Sequence, residues 1–240
     1  MHRYEPAIVA HRGIHRCDPE NSLPAFVEAT YHRVDWIECD VWPSADGEVV
    51  IVHDETVDRT TTGTGPVGQR RWEELASLQL RNADGSVYGA RLPVLRELVQ
   101  LAARITPPPG LLVEIKPANS PKFVERVIHL LKGACERWWV QSFDEDNLVH
   151  ALAYDPRAPL AFLVEDRPAL ERGVANGWKN INADHQLLDE PTVRKMRDAG
   201  VTVGAWTVNE EADLRRVMDL GVQWIITDEP VLARKLLQQR

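Results

Sequence analysis

Eight short apolar runs, each followed by a stretch with helical spacing, constrain this chain more than any other feature. They are Ala7–Ala10, Asp35–Val41, Leu111–Lys116, Arg137–Gln141, Pro159–Val164, Lys179–Asn182, Val201–Trp206 and Gln223–Thr227. Runs of this length between turn signals read as buried strands. The segments between them repeat their apolar residues at three and four, as in Leu95, Leu98, Val99 and Ala102, or Val124, Val127, Ile128 and Leu131. That spacing lines one face of a helix. Asn21 or Ser22, Ser120 with Pro121, Asp144, Asp189, Asn209 and Asp228 read as helix starts. Gly133, Gly200 and Gly221 read as helix ends. Eight such repeats in 240 residues predict an α/β fold, the (β/α)8 TIM barrel. The chain reads as one domain over 1–240, with 54–91 as an irregular insertion after the second strand. The Thr- and Gly-rich stretch Thr60–Pro66 rules out a long element there.

Within the second run, side-chain parity separates two chemistries. Successive residues of a strand point to opposite faces, so Glu38 and Asp40 share one face while Ile37, Cys39 and Val41 share the other. The apolar face suits packing against helices. Two neighbouring carboxylates on the other are costly in a core unless a cation lies between them.

A barrel of this kind works at the C-terminal ends of its strands. Those ends carry His11 and Arg12, Glu38 with Asp40, Glu114 with Lys116, Gln141 to Phe143, Trp206 and Asp228. His53 closes the short run that follows the second strand. Oxygen-only donors such as Glu38, Asp40 and Glu114 suit calcium or magnesium better than zinc. Arg12 and Lys116 would then face a phosphate anion. His11 and His53 lie beside the carboxylates and suit acid–base work near neutral pH. Two alternatives stay open: Glu114 with Lys116 as a purely structural ion pair, and Glu20 and Asn21 as residues that only fix the first helix.

Composition excludes several classes. Acids outnumber bases by 36 to 28, a net charge of −8, which argues against nucleic acid or an anionic membrane as partner. No apolar run is long enough to span a bilayer, and Met1–Pro6 shows no leader-like core. Three unpatterned cysteines, Cys17, Cys39 and Cys135, point to a reducing cytoplasm rather than a disulfide scaffold.

Taken together, these residues resemble one family along nearly the whole chain, the glycerophosphodiester phosphodiesterases. The shared motifs are His-Arg-Gly at 11–13, Pro-Glu-Asn-Ser at 19–22, Ile-Glu-x-Asp-Val at 37–41, Asp-Gly at 46–47, His-Asp at 53–54 and Arg-Thr-Thr at 59–61. They continue with Glu-Ile-Lys at 114–116, Ser-Phe at 142–143, Trp-Thr-Val-Asn at 206–209 and Ile-Thr-Asp-x-Pro at 226–230. The resemblance implies a metal-dependent hydrolase that splits a small glycerophosphodiester into glycerol 3-phosphate and an alcohol. It implies His11 and His53 as the acid–base pair and Glu38, Asp40 and Glu114 as ligands of one divalent cation, Ca2+ or Mg2+. Arg12 and Lys116 become phosphate contacts, and Trp206 a wall for the glycerol. Many members carry Asp-Ala-Gly where this chain has Gln79-Leu80-Arg81, a departure confined to the insertion. Two rivals use the same barrel. A phospholipase-D-like lyase would release a cyclic phosphate, and a zinc amidohydrolase would need His-x-His where this chain has His11-Arg12-Gly13.

Overall fold

The computed structural model describes residues 5–117 and 120–240; Met1–Tyr4, part of the segment read as lacking a leader, lie outside the described residues. The chain opens on β1 (Ala7–Ala10) and α1 (Leu23–Tyr31). Then β2 (Trp36–Pro43) turns back into β3 (Val49–Ile51), which pairs antiparallel with it. The insertion carries α2 (Trp72–Ala76) and an antiparallel hairpin, β4 (Gln79–Arg81) with β5 (Val87–Arg91). After α3 (Leu95–Ala102) strand and helix alternate: β6 (Gly110–Ile115), α4 (Pro121–Ala134), β7 (Trp138–Ser142), α5 (Glu145–Tyr154), β8 (Leu160–Val164) and α6 (Arg167–Ala175). The remainder is β9 (Asn180–Asp184), α7 (Glu190–Asp198), β10 (Thr202–Trp206), α8 (Glu211–Leu220), β11 (Trp224–Thr227) and α9 (Pro230–Gln238).

Among the described residues, eight parallel strands run β1-β2-β6-β7-β8-β9-β10-β11, and β11 pairs with β1 to close the barrel. The expected fold is thus the observed one. Parity sorts the residues as the pleat requires. Ile37, Cys39 and Val41 point outward into the layer between sheet and helices and are fully buried there. Inside, Trp36, Trp139 and Trp224 fill the N-terminal end of the barrel beneath Val9, Leu112 and Ile226. The polar residues of β2 and β6 stand above that plug, at the other end.

Gly110 opens β6. A Cβ there would lie 2.1 Å from the Trp36 ring, which Trp224 holds on one side and Arg137 on another. Gly110→Ala is therefore expected to cost about 1–3 kcal/mol, since the large indole has no room to shift. A calorimetric Tm equal to that of the wild type would show that the plug yields.

The insertion is more ordered than its composition foretold. Val50, Val52, Val57, Val67, Leu75, Leu80 and Leu92 form a second small core beside the barrel. The hairpin was missed because its strands are short and half exposed, which leaves little hydrophobic alternation to read. Three helix-end readings also need correction. Gly133 lies inside α4. Asn209 and Asp228 do not cap helices, because Glu210 and Glu229 take the N-cap positions of α8 and α9. Their side chains are engaged elsewhere. No helix among the described residues is long and apolar enough to cross a membrane.

Candidate active site

The register of β2 against β6 sets Asp40 beside Glu114, with Glu38 one pleat below. One oxygen from each of these three buried carboxylates lies within 4.8 Å of the others. Burial, with Asp40 and Glu114 nearby, pushes the Glu38 carboxyl well above its ordinary range. Burial and the Asp40 charge push Glu114 up to about 7. Asp40 goes the other way: burial opposes ionisation, but Lys116 and Arg12 hold its carboxyl well below the usual range. Lys116 Nζ lies 2.7 Å from Asp40 and 2.6 Å from Glu114, and Arg12 Nε lies 3.2 Å from Asp40. Three buried carboxylates thus share two cations, and a divalent ion between them would favour the ionised form of all three. The oxygen-only donor set fits calcium or magnesium.

Arg12 reaches this floor because its backbone turns sharply after β1. It adopts φ +55°, which aims its N–H at Glu38 Oε2, 2.9 Å away. Asn21 takes φ +53° and donates to Asp40 Oδ2 at 2.7 Å. Non-glycine residues in the left-handed region cost on the order of 1–3 kcal/mol each and persist where surrounding contacts enforce them. Both contacts end on a candidate metal ligand. The helix cap left open between Asn21 and Ser22 is Ser22, whose Oγ accepts from Ala25. Asn21 and Glu20 are freed for the site.

Each candidate catalytic histidine has its Nδ1 committed to a carboxylate. His11 Nδ1 lies 2.8 Å from Asp228 Oδ1, and His53 Nδ1 lies 2.7 Å from Asp54 Oδ1. Two hydrogen bonds from Arg59 and one from His53 lower the Asp54 carboxyl to about 2 against the opposing cost of burial. Asp228 is depressed further by His11, His15 and Asn209, again against burial. Both carboxylates are therefore acceptors at neutral pH, so the Nδ1 atoms donate and Nε2 is left for chemistry. Burial, joined by Lys116 and Arg12, lowers the His53 pKa despite the pull of Asp40.

These groups share one cavity of about 210 Å³ at the C-terminal ends of the strands, lined by His11, Arg12, Glu38, His53, Glu114 and Lys116. Gln141, Phe143, Leu163, Glu165 and Trp206 are among its other walls, while Asp40 is fully buried behind them. Trp206 stacks edge-on to Phe143 at 5.2 Å and donates from Nε1 to the Asn182 carbonyl, so its face is fixed. A larger cavity of about 570 Å³ near Glu5, Pro6 and Gln223 lies at the opposite face, away from this constellation.

All eight candidate site residues thus meet in one place. Sequence reading placed Gln141 and Asp228 at the strand ends, took Asn209 and Asp228 as helix caps and left Glu20 open, but it did not see the pairs that hold the site: Asp228 with Asn209, Asp54 with Arg59 and Glu20, and Gln141 with Asn182. Asn209 donates to Asp228 Oδ2 at 2.6 Å, and its own Oδ1 accepts from the Asp228 backbone at 2.9 Å. Asn182 orients Gln141 at 2.9 Å, and Gln141 reaches Glu38 at 3.4 Å. Only Asp54, adjacent to His53, could have been inferred from spacing.

Comparison with known proteins points the same way. Residues 11–232 match the profile of the Glycerophosphoryl diester phosphodiesterase family. A glycerophosphodiester phosphodiesterase of Caldanaerobacter subterraneus is 30% identical over 238 residues, covering 93% of this chain and 94% of its own. Among solved structures, an Oleispira antarctica phosphodiesterase in complex with the product sn-glycerol-3-phosphate superposes with a TM-score of 0.86 at 25% identity, covering 99% of this chain and 98% of its own. A glycerophosphodiester phosphodiesterase of Agrobacterium tumefaciens gives a TM-score of 0.78 at 29% identity, covering 96% and 99%.

Proposed function

Because the chain belongs to the glycerophosphoryl diester phosphodiesterase family and is a phosphoric diester hydrolase, we propose that its cavity cleaves glycerophosphodiesters by histidine acid–base catalysis beside one divalent cation. The observation that carries this reading is the pair His11 and His53, each pinned through Nδ1 by a carboxylate, in one cavity with the acidic cluster. Glu38, Asp40 and Glu114 would hold the cation, calcium or magnesium. When bound, such an ion draws charge from the phosphoryl oxygens.

The chain's own groups supply the rest. Arg12 and Lys116 bind the phosphate and offset the charge that repels a nucleophile. Trp206 presents an apolar wall to the glycerol. Nε2 of one histidine takes the proton of the attacking hydroxyl, and Nε2 of its partner gives a proton to the leaving alcohol. The attacking group is the glycerol hydroxyl next to the ester carbon, already held near phosphorus, where proximity lowers the barrier by several kcal/mol. A five-membered cyclic phosphate forms, and water then opens it with the histidine roles exchanged. The three cysteines are unpaired, which supports a cytoplasmic setting.

The test is a panel of glycerophosphodiesters assayed for glycerol 3-phosphate, with one substrate lacking the neighbouring hydroxyl. Turnover of the panel with loss of the deoxy substrate is the expected result. Equal rates on both would mean that water attacks directly, accumulation of cyclic phosphate would make the enzyme a lyase, and an inert panel would end the reading.

A further inference from the structure

Arg59 stands outside the cavity, half-exposed on the insertion. Its guanidinium nevertheless spans two carboxylates that lead into the site. Nε lies 2.6 Å from Asp54 Oδ2 and Nη2 lies 3.1 Å from Asp54 Oδ1. On the other side, Nη1 lies 2.8 Å from Glu20 Oε2 and Nη2 lies 2.8 Å from Glu20 Oε1. Asp54 continues to His53 Nδ1, and Glu20 Oε1 continues to Arg12 Nη1 at 3.0 Å. We propose that Arg59 is a positioning residue that sets His53 and Arg12 together, from a loop that the barrel ladder does not hold.

The two histidines differ in what orients them. Asp228 follows β11 directly and is fixed by Asn209, so the His11 ring is referred to the barrel itself. Asp54 begins the insertion, beyond the last pairing of β3. Both of its oxygens end on Arg59, whose flat fork matches a carboxylate in two bonds and holds it in one plane. An isolated exposed ion pair contributes little. Here, one guanidinium joined to two carboxylates, one of them mostly buried, forms a network with fixed geometry. Its loss would free Asp54 to rotate into solvent and let the His53 imidazole turn. On the other arm Glu20 would hold Arg12 with one partner fewer. The effect should therefore divide, with His53 read in kcat and Arg12 in KM.

This inference rests on the proposed roles of His53 and Arg12, so its test includes one readout that needs no turnover. Arg59→Met keeps the stem and removes both arms. Its kcat is expected to fall on the order of tenfold, with a raised KM, as for other residues that orient a ligand or base. In a double-mutant cycle with Asp54→Asn the kcat losses are expected not to add, because both act through one imidazole. Nitrogen NMR of the histidine rings, assigned with His53→Gln, should show the Nδ1–H form of His53 in the native protein and a mixture in Arg59→Met. Arg59→Lys, which keeps the charge but not the fork, should fall between them and decides the matter should the Met variant fail to fold. An unchanged His53 tautomer with native kcat, or fully additive losses, would overturn the proposal. A wild-type protein inert on every glycerophosphodiester would sink the hydrolytic mechanism instead, while the tautomer still decides the role of Arg59.

Discussion

His11→Ala and His53→Ala are each expected to lose on the order of 10²–10⁴ in kcat while melting close to the wild-type temperature. The catalytic loss follows from removing one of the two proposed proton carriers that line the same cavity. The fold should survive because neither carboxylate is orphaned. Without His11, Asp228 keeps Asn209 and His15, whose Nε2 lies 3.1 Å from Oδ1. Without His53, Asp54 keeps both bonds to Arg59. Loss of either histidine should also nearly exhaust the effect, so the double variant is expected to be little worse than the worse single one. Measuring kcat by glycerol 3-phosphate release, with Tm by calorimetry, decides it. A folded variant that retains a tenth of the native rate removes that histidine from the mechanism.

Chelation is expected to bring a comparably large loss, about a hundredfold or more, reversed by added calcium or magnesium. Burial and mutual repulsion force two of the three clustered carboxyls, Glu38 and Glu114, upward, and a divalent ion among them would relieve both. An ion that binds the folded chain alone adds about 2.7 kcal/mol at a hundred times its Kd, so Tm should rise by about 5–10 °C with metal. That shift is read without substrate, which separates metal binding from catalysis. Full activity in a chelated, metal-free preparation, or a Tm indifferent to either ion, would strip the three carboxylates of the ligand role.

What could be read before folding is what local geometry carries. Strand parity put Glu38 with Asp40 and Glu114 with Lys116, since a pleat alternates faces whatever surrounds it. Helical spacing found the buried face of α3, where Leu95, Leu98, Val99 and Ala102 all pack inward. The same logic misplaced Asn209 and Asp228. A polar residue just ahead of an apolar run is a helix cap by every local rule, and nothing nearby shows that the two residues bond to each other instead. The demand for glycine at 110 was invisible for the same reason, because the indole that excludes a side chain there comes from the neighbouring strand.

The eightfold alternation, the anionic face of β2 and the choice of His11 and His53 as the proposed acid–base pair were therefore legible in the sequence alone, through relations a few residues long. Tertiary structure decided what those groups rest on. Closure of β11 against β1 sets Asp228 beside His11, 217 positions away. Folding of the insertion over the first loop joins Arg59 to Glu20, 39 positions away. Propensity and periodicity describe neighbours along the chain, whereas a hydrogen bond depends on a distance of a few ångströms that only the closed barrel brings about.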